Sequence, residues 1–422
     1  MINKAKVLIA GGGFGGLFAA LETANYADVT LVTDEDHFLF TPLLYEYFSG
    51  EVEEWHIAPR YSELLDRTVR LVRGRVTDVD LGSQKVSIQL PANNLAFSDR
   101  SEDFKYDVLV IALGGVTNYV GVPGAEEFSI PFRKIRHADR LRHRMLEALD
   151  HVPPDLPPQD TRRALTFAIV GAGASGVELS TKMSDLLRDA FDRRALTGEP
   201  RVLILEMGDK VVPGMGTEIR EYVVDALREA RVEVHTQTRV LRVTGNSIVS
   251  EHLGITSEIE TAAVVWVGGV RMNPTVEQLE LEKDRRGLIV VEPTLQVRNH
   301  DNIFALGDVA FYRDASPTLA GTAQLAFQQA SLAARNIRAL ISGQKLHTQN
   351  FEELGEAVSL GTERAAVLAG GKAFGGPLAR QARFALYSSR LPTWHHRLRV
   401  GASWFFEGTQ PRPLLPLGFS HA

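Results

Sequence analysis

The chain has 422 residues, 44% of them apolar and 23% charged, which suits two or three folded domains around a sizeable core. A net charge of −6 argues against general nucleic-acid binding, and no nucleic-acid partner is expected. The absence of cysteine excludes disulfides, thiolate metal sites, cysteine-held iron–sulfur clusters and redox dithiols, so any electron transfer must run through a bound organic cofactor, and no metal site is expected.

The opening MINKAKVLIAGGG runs from a polar start into a short apolar strand and lacks the longer apolar run and cleavage site of a signal peptide. No stretch reaches about 18 uninterrupted apolar residues, so no membrane-spanning helix is expected. Lys6–Ala10 reads as a buried parallel strand. Gly11, Gly13 and Gly16 then form G-x-G-x-x-G, Leu17–Asn25 reads as a helix, Val29–Thr33 as a second strand, and Asp34 closes that strand. Strand, glycine loop, helix, strand and acid together are the dinucleotide fingerprint. Gly11 serves the tight turn, Gly13 admits a pyrophosphate, Gly16 lets helix and strand pack, and the helix N-terminus faces the phosphates. Asp34 is expected at the ribose hydroxyls, with a one-residue shift of register left open among Thr33, Asp34, Glu35 and Asp36.

The pattern returns 160 residues later, with Ala164–Val170 as strand, Gly171, Gly173 and Gly176 in the loop, Val177–Leu187 as helix and Arg201–Leu205 as strand, ended by Glu206. Two dinucleotides are therefore expected. A carboxylate at Glu206 suits two free ribose hydroxyls and repels a 2′-phosphate, which favours NADH; Lys210 leaves NADPH open. Tyr106–Leu113 reads as a buried strand running into Gly114 and Gly115. Asn302–Ala310 reads as a short strand followed by a Gly-Asp turn that opens a helix, with Asp308 either a cofactor ligand or a plain N-cap.

The order GGGFGG, ALGG, GAGASGVEL and FALGDVA resembles the two-dinucleotide flavoproteins that include glutathione reductase. The lack of cysteine sets aside the disulfide reductases and the sulfide:quinone reductases. His37–Tyr45 (HFLFTPLLY), Gly176–Leu179 (GVEL), Thr322–Gln324 and Gln328–Gln329 resemble type II NADH:quinone oxidoreductases. Glu53–Pro59, Leu354–Gly361 and Leu391–Gly401 resemble the cyanobacterial and plastid branch that reduces demethylphylloquinone or demethylnaphthoquinone.

The resemblance covers nearly the whole chain and implies an α/β fold of two Rossmann-like domains, glutathione-reductase-like, with a C-terminal membrane-associating segment. It implies FAD on the first fingerprint, with Gly11, Gly13, Phe14, Gly15, Gly16, Asp34, Val76, Ala112, Gly114, Asp308, Ala323 and Gln324 as contacts. It implies NADH, with NADPH not excluded, on Gly171, Gly173, Gly176, Glu178, Glu206 and Gly269. Glu178 is expected near the nicotinamide, to orient it or relay a proton, and Gln328 and Gln329 near the quinone carbonyls. Away from the resemblance, Glu178 reads as an early-helix acid, the two glutamines as helix surface, and His37 as a packing residue. The family carries its ribose-binding acid one position earlier, where this chain has Thr33.

Hydride would pass from the nicotinamide to the flavin and two electrons onward to a membrane quinone. The expected layout is an FAD domain, 1–160 with 290–350, an NAD(P)H domain, 161–289, and a C-terminal region, 351–422, joined through a proline-rich linker at His151–Asp160. Between Arg364 and Phe406 stand seven basic residues and no acid. On a helix from Pro377, Arg383, Tyr387 and Arg390 share one face and Leu378, Ala382 and Ala385 the other. This predicts a basic amphipathic contact with an anionic membrane, hence a peripheral protein on the cytoplasmic face; a homodimer is compatible. A reductase for ferredoxin or another small carrier, and an NADH sensor without turnover, would keep both fingerprints but need neither the tail nor the glutamines.

Overall fold

The computed structural model describes residues 4–92, 97–313 and 321–414. Ten strands build two parallel sheets: β1 (Lys6–Ala10), β2 (Asp28–Thr33), β3 (Val69–Arg73), β4 (Val108–Ile111), β5 (Ser129–Pro131), β6 (Thr166–Val170), β7 (Arg201–Leu205), β8 (Glu233–His235), β9 (Ala263–Trp266) and β10 (Ile303–Ala305). The helices that matter for the site are α1 (Phe14–Thr23), α2 (Leu44–Phe48), α3 (Ala174–Arg193), α4 (Ala323–Ile341), α5 (Pro377–Ser389) and α6 (Trp394–Glu407).

One compact unit comprises Met1–Phe40, Ala58–Val116 and Val270–Leu354. Its sheet has the order β10-β4-β1-β2-β3, with the first strand of the fingerprint at the centre. Four of the five residues of β1 are buried, as are all four of β4, which explains their unbroken apolar sequences. Helix α1 packs along α4, where Phe18 meets Phe327 edge-on with ring centroids 4.7 Å apart. A three-stranded antiparallel sheet, Arg75–Asp80, Lys85–Pro91 and Phe97–Lys105, completes this unit.

The second unit comprises Thr41–Ile57, Thr117–Gly269 and Gly355–Ala422. Its sheet repeats the plan in the order β8-β7-β6-β9-β5. Ala168, Val170, Leu203, Leu205, Val264 and Trp266 form the core on one side of it, and Phe167, Ile169, Val202 and Ile204 are buried as well. It also holds two three-stranded antiparallel sheets, Thr238–Val243 with Ser247–His252 and Ile255–Glu260, and Glu356–Ser359 with Ala365–Ala369 and Lys372–Gly376.

These bounds differ from those expected. Residues 117–160 join the second unit because β5 pairs with β9, so the proline-rich stretch at His151–Asp160 lies inside that unit. The C-terminal region also belongs to the second unit: Ala365, Val367 and Ala379 share a small core, so the tail has its own apolar anchorage. Its last residues, 415–422, lie outside those described.

Candidate functional site

The two fingerprints are superimposable in their hydrogen bonding. Gly11 N–H donates to the Val32 carbonyl at 2.8 Å, and Gly171 N–H to the Leu205 carbonyl at 2.9 Å. Both glycines have positive φ, +110° and +108°, a region that only glycine enters without strain. A Cβ on Gly16 would stand 1.7 Å from the Gly11 carbonyl oxygen, and one on Gly176 would stand 1.9 Å from that of Gly171. Gly15 admits the Leu306 side chain, whose Cδ1 would be 2.4 Å from an added Cβ. At Gly13 and Gly173 an added Cβ would meet nothing within 4 Å.

Those two open glycines are the N-caps of α1 and α3. Neither helix start has a side-chain cap or an acid in its first turn. Both therefore present a positive dipole end and amide donors to open space, the chemistry that a pyrophosphate requires. The residues present fit a dinucleotide in each unit.

The matched hydrogen bonds align the ends of the two second strands. Val32 corresponds to Leu205, so Thr33 corresponds to Glu206 and Asp34 lies one residue further on, exposed. In the first unit Thr33 is buried, and its hydroxyl would lie 2.8 Å from a Cβ on Gly12. Thr33, rather than Asp34, thus stands at the position equivalent to Glu206. In the second unit Glu206 Oε2 accepts the Ala172 N–H at 2.7 Å, and Oε1 accepts the Gly208 N–H at 2.7 Å. The carboxylate is fixed at the strand end, with lone pairs left for hydroxyls.

Other expected residues belong to the first unit. The Ala112 carbonyl lies beneath Gly11, and its N–H donates to Ala10. Val76 is buried, and its carbonyl accepts the Thr275 hydroxyl at 2.9 Å. Gly114 has φ +64° and open space at its α-carbon. Phe14 joins an aromatic group with Phe18, Phe38 and Phe40. Asp308 lies in a single 3-10 turn, Gly307–Val309, rather than at the start of a helix; the next described helix begins at Ala323. His37 is held by Asp36 at 2.8 Å. In the second unit the Gly269 carbonyl accepts the Asn118 N–H at 3.1 Å.

The glutamines of α4 differ from expectation. Gln329 is fully buried, and its Oε1 accepts the Gly307 N–H at 2.7 Å. Gln328 closes a two-point pair with the backbone of Glu352, donating at 2.9 Å and accepting at 3.0 Å. Gln324 accepts the Leu354 N–H at 3.2 Å. These amides hold the chain's own backbone: Gln329 braces the Gly307–Asp308 turn, and Gln324 and Gln328 tether residues 352–354. Both polar ends of Gln328 are thus taken by backbone, which does not fit the expectation that it faces a quinone carbonyl, whereas Gln329 Nε2 is buried without a hydrogen-bond partner among the described residues.

Glu178 lies elsewhere in the second unit, inside a cluster of buried charge. Its Oε1 accepts Arg383 Nη2 at 2.9 Å and the Ser359 N–H at 2.9 Å. Arg383 gives Nη1 to Glu46 at 2.5 Å and a further Nη2 bond to the Pro42 carbonyl at 2.8 Å. Lys182 Nζ is 3.3 Å from Glu46, bonds Glu51, and donates to the Gly361 carbonyl at 3.1 Å. Arg380 completes the group on Glu51 at 2.8 Å. The Lys182 and Arg383 side chains are 0% and 2% exposed.

Burial pushes the Glu178 carboxyl up to about 7; Arg383 and the Ser359 N–H oppose the rise, and Glu46 adds to it. Burial would raise Glu46 too, but the charges of Arg383 and Lys182 outweigh it and hold that carboxyl below its ordinary value.

This cluster corrects the reading of the tail. Arg383 and Tyr387 face inward, with the guanidinium 4.7 Å from the ring centroid of Tyr387, while Leu378, Ala382 and Ala385 are exposed. Arg380 and Arg383 serve internal acids, and Arg364 pairs with Glu229. Glu46, Glu51 and Lys182 were not singled out in the sequence; Lys182, one turn after Glu178 on the same helix face, was the available signal. Tyr61, whose buried hydroxyl donates to the Gly12 carbonyl at 2.7 Å, was also missed, and no local pattern marks it.

Residues 5–330 match the family described as pyridine nucleotide-disulphide oxidoreductase. The chain belongs to that family. It is 34% identical over 411 residues to demethylphylloquinone reductase NdbB of Synechocystis sp., covering 95% of this chain and 96% of that one. It is 33% identical over 354 residues to the type II NADH:quinone oxidoreductase Ndh of Mycobacterium tuberculosis, covering 81% and 74%. Its type II NADH:quinone oxidoreductase relationship is therefore shown as well. The fold matches a structure of NDH2 from Plasmodium falciparum in complex with NADH with a TM-score of 0.83 at 18% identity, over 98% of this chain and all of that one.

Proposed function

We propose that the protein is an FAD-dependent NAD(P)H:quinone oxidoreductase acting at a membrane surface. The paired, uncapped helix N-termini with an open glycine at each carry the proposal, since they suit two dinucleotides on one chain. FAD, when bound, accepts a hydride and returns two electrons to a quinone. The two relatives above, a demethylphylloquinone reductase and a type II NADH:quinone oxidoreductase, support the same acceptor.

The first unit holds FAD through the Gly11–Gly16 loop, with Thr33 at the ribose end and the Gly307–Asp308 turn, braced by Gln329, beside the hydroxylated chain. The second unit holds the nicotinamide dinucleotide through the Gly171–Gly176 loop. Glu206 receives its ribose hydroxyls and disfavours a 2′-phosphate. Glu178, a buried acid poised near neutrality, exchanges a proton during turnover.

The purified protein should oxidise NADH steadily with a naphthoquinone, more slowly with NADPH, and negligibly with ferredoxin. Rapid flavin reduction without turnover on any quinone would turn the assignment to a sensor.

No helix among the described residues is long and apolar enough to cross a membrane. Contact with a bilayer is proposed through α6. Trp394, Leu398 and Phe405 share one helix face and are 62%, 63% and 83% exposed. Substituting Leu398→Ser with Phe405→Ser should abolish co-sedimentation with lipid vesicles while leaving flavin content intact. Undiminished pelleting would rule this face out. Deleting everything after Gly376 is a poor substitute, because it would also strip Glu46, Glu51 and Glu178 of their arginines.

A further inference from the structure

Glu46 belongs to no nucleotide motif, yet its side chain is 1% exposed in the interior of the second unit. Its Oε1 takes both Arg383 and Lys182, while Oε2 has no hydrogen-bond partner among the described residues. A buried carboxylate with an unsatisfied oxygen is costly, and a glutamine would fill similar space without the charge. The feature that gives the charge a use is Arg383, which donates Nη1 to Glu46 and Nη2 to Glu178. Two carboxylates divide one guanidinium.

We propose that Glu46 is a positioning residue for Glu178: by taking one arm of the Arg383 guanidinium, it leaves Glu178 only partly neutralised and able to gain and lose a proton, while Lys182 keeps Glu46 itself ionised. This deepens the proposed function, since it rests on Glu178 exchanging a proton in turnover. Reduction of a quinone to a quinol by NADH consumes one proton beyond the hydride, so a site that can bind and release one has a use.

The groups around Glu178 are few. Helix α2 brings Tyr45 and Glu46, α3 brings Ser175 and Lys182, the strand Glu356–Ser359 brings the Ser359 N–H, and α5 brings Arg383 and Tyr387. Burial pushes both tyrosine hydroxyls up, so neither carries charge at neutral pH. Among these groups Glu46 is the carboxylate that shares Arg383 with Glu178, while Lys182 is divided between Glu46 and the buried Glu51. Removing it should let Arg383 act fully on Glu178 and leave Lys182 with Glu51 as its one carboxylate in the cluster; removing Lys182 should do the reverse.

The test is pH-difference infrared spectroscopy of the flavin-loaded protein, following the protonated-carboxyl band that Glu178→Gln abolishes, alongside the pH profile of NADH–quinone turnover. Glu46→Gln should move the Glu178 midpoint down by roughly one pH unit, a tenfold weaker hold on the proton. Lys182→Gln should move it up, and Glu46→Asp should stay near the parent. Should Glu46→Gln fail to fold, Lys182→Gln decides through its opposite sign. A midpoint unmoved in variants that retain flavin overturns the proposal. A midpoint that moves in the infrared with no matching change in the turnover profile upholds the coupling between Glu46 and Glu178, and overturns instead the proton exchange assigned to Glu178.

Discussion

Replacing Arg383 by methionine is expected to destabilise the protein by about 3–5 kcal/mol, because it strands two buried carboxylates on one side of a broken network. Glu46 would keep Lys182, 3.3 Å away, and Glu178 would keep only the Ser359 N–H. The loss should depend on pH with a definite sign. Glu178 already titrates near 7, above its unfolded value, so it contributes most to folding at low pH, and that contribution fades as pH rises through 7. Without Arg383 its proton is held more tightly still, and the neutral acid needs no counter-charge. Urea unfolding should therefore show a smaller deficit at pH 6 than at pH 8. Arg383→Lys should fall between, since an ammonium keeps the charge but lacks the fork that reaches both acids. A methionine variant as stable as the parent at pH 8 would mean that the cluster's desolvation and pairing cancel.

Much of this chain can be read directly from its residues where local chemistry and backbone geometry coincide. Lys6–Ala10, Arg201–Leu205 and the two glycine loops are such cases: an apolar run must be buried on both faces, and a positive φ must be glycine. The ribose position shows where this stops. Asp34 and Thr33 differ by one step along a strand, and only the pairing of Gly11 with Val32 tells which one turns toward the loop. The tail shows a deeper limit. Arg383, Tyr387 and Arg390 make a basic helix face, which fits a lipid surface or internal acids equally well in one dimension. Glu46 and Glu178 lie 337 and 205 residues away in sequence, and no periodicity within α5 could have revealed them. Gln328 on α4 meets the same limit: its motif is local, but its partner is backbone at Glu352. The domain bounds followed proline content, whereas β5 joins the second sheet by a three-residue pairing too short to stand out.

Gly13→Ala and Gly16→Ala are expected to part company, and their contrast isolates the role of FAD from that of the fold. Gly13 has φ −67° and ψ −163°, which alanine adopts freely, and its added methyl would touch nothing within 4 Å. The flavin-free protein should therefore fold as the parent does, within roughly 0.5 kcal/mol. The methyl would nonetheless stand in the space that a pyrophosphate must enter to reach the amides of α1, so flavin retention should fall by at least tenfold. Gly16→Ala differs because its methyl would collide with the Gly11 carbonyl, 1.7 Å away, and force α1 off β1. It should cost both stability, by about 1–3 kcal/mol, and flavin. The second unit supplies an internal control: Gly173 is equally open at φ −68°, so Gly173→Ala should leave a yellow protein whose KM for NADH has risen. Thermal unfolding of the flavin-free forms, with absorbance titration of FAD into each, separates these outcomes. If Gly13→Ala bound FAD as tightly as the parent, the open space above that glycine would not be the pyrophosphate seat.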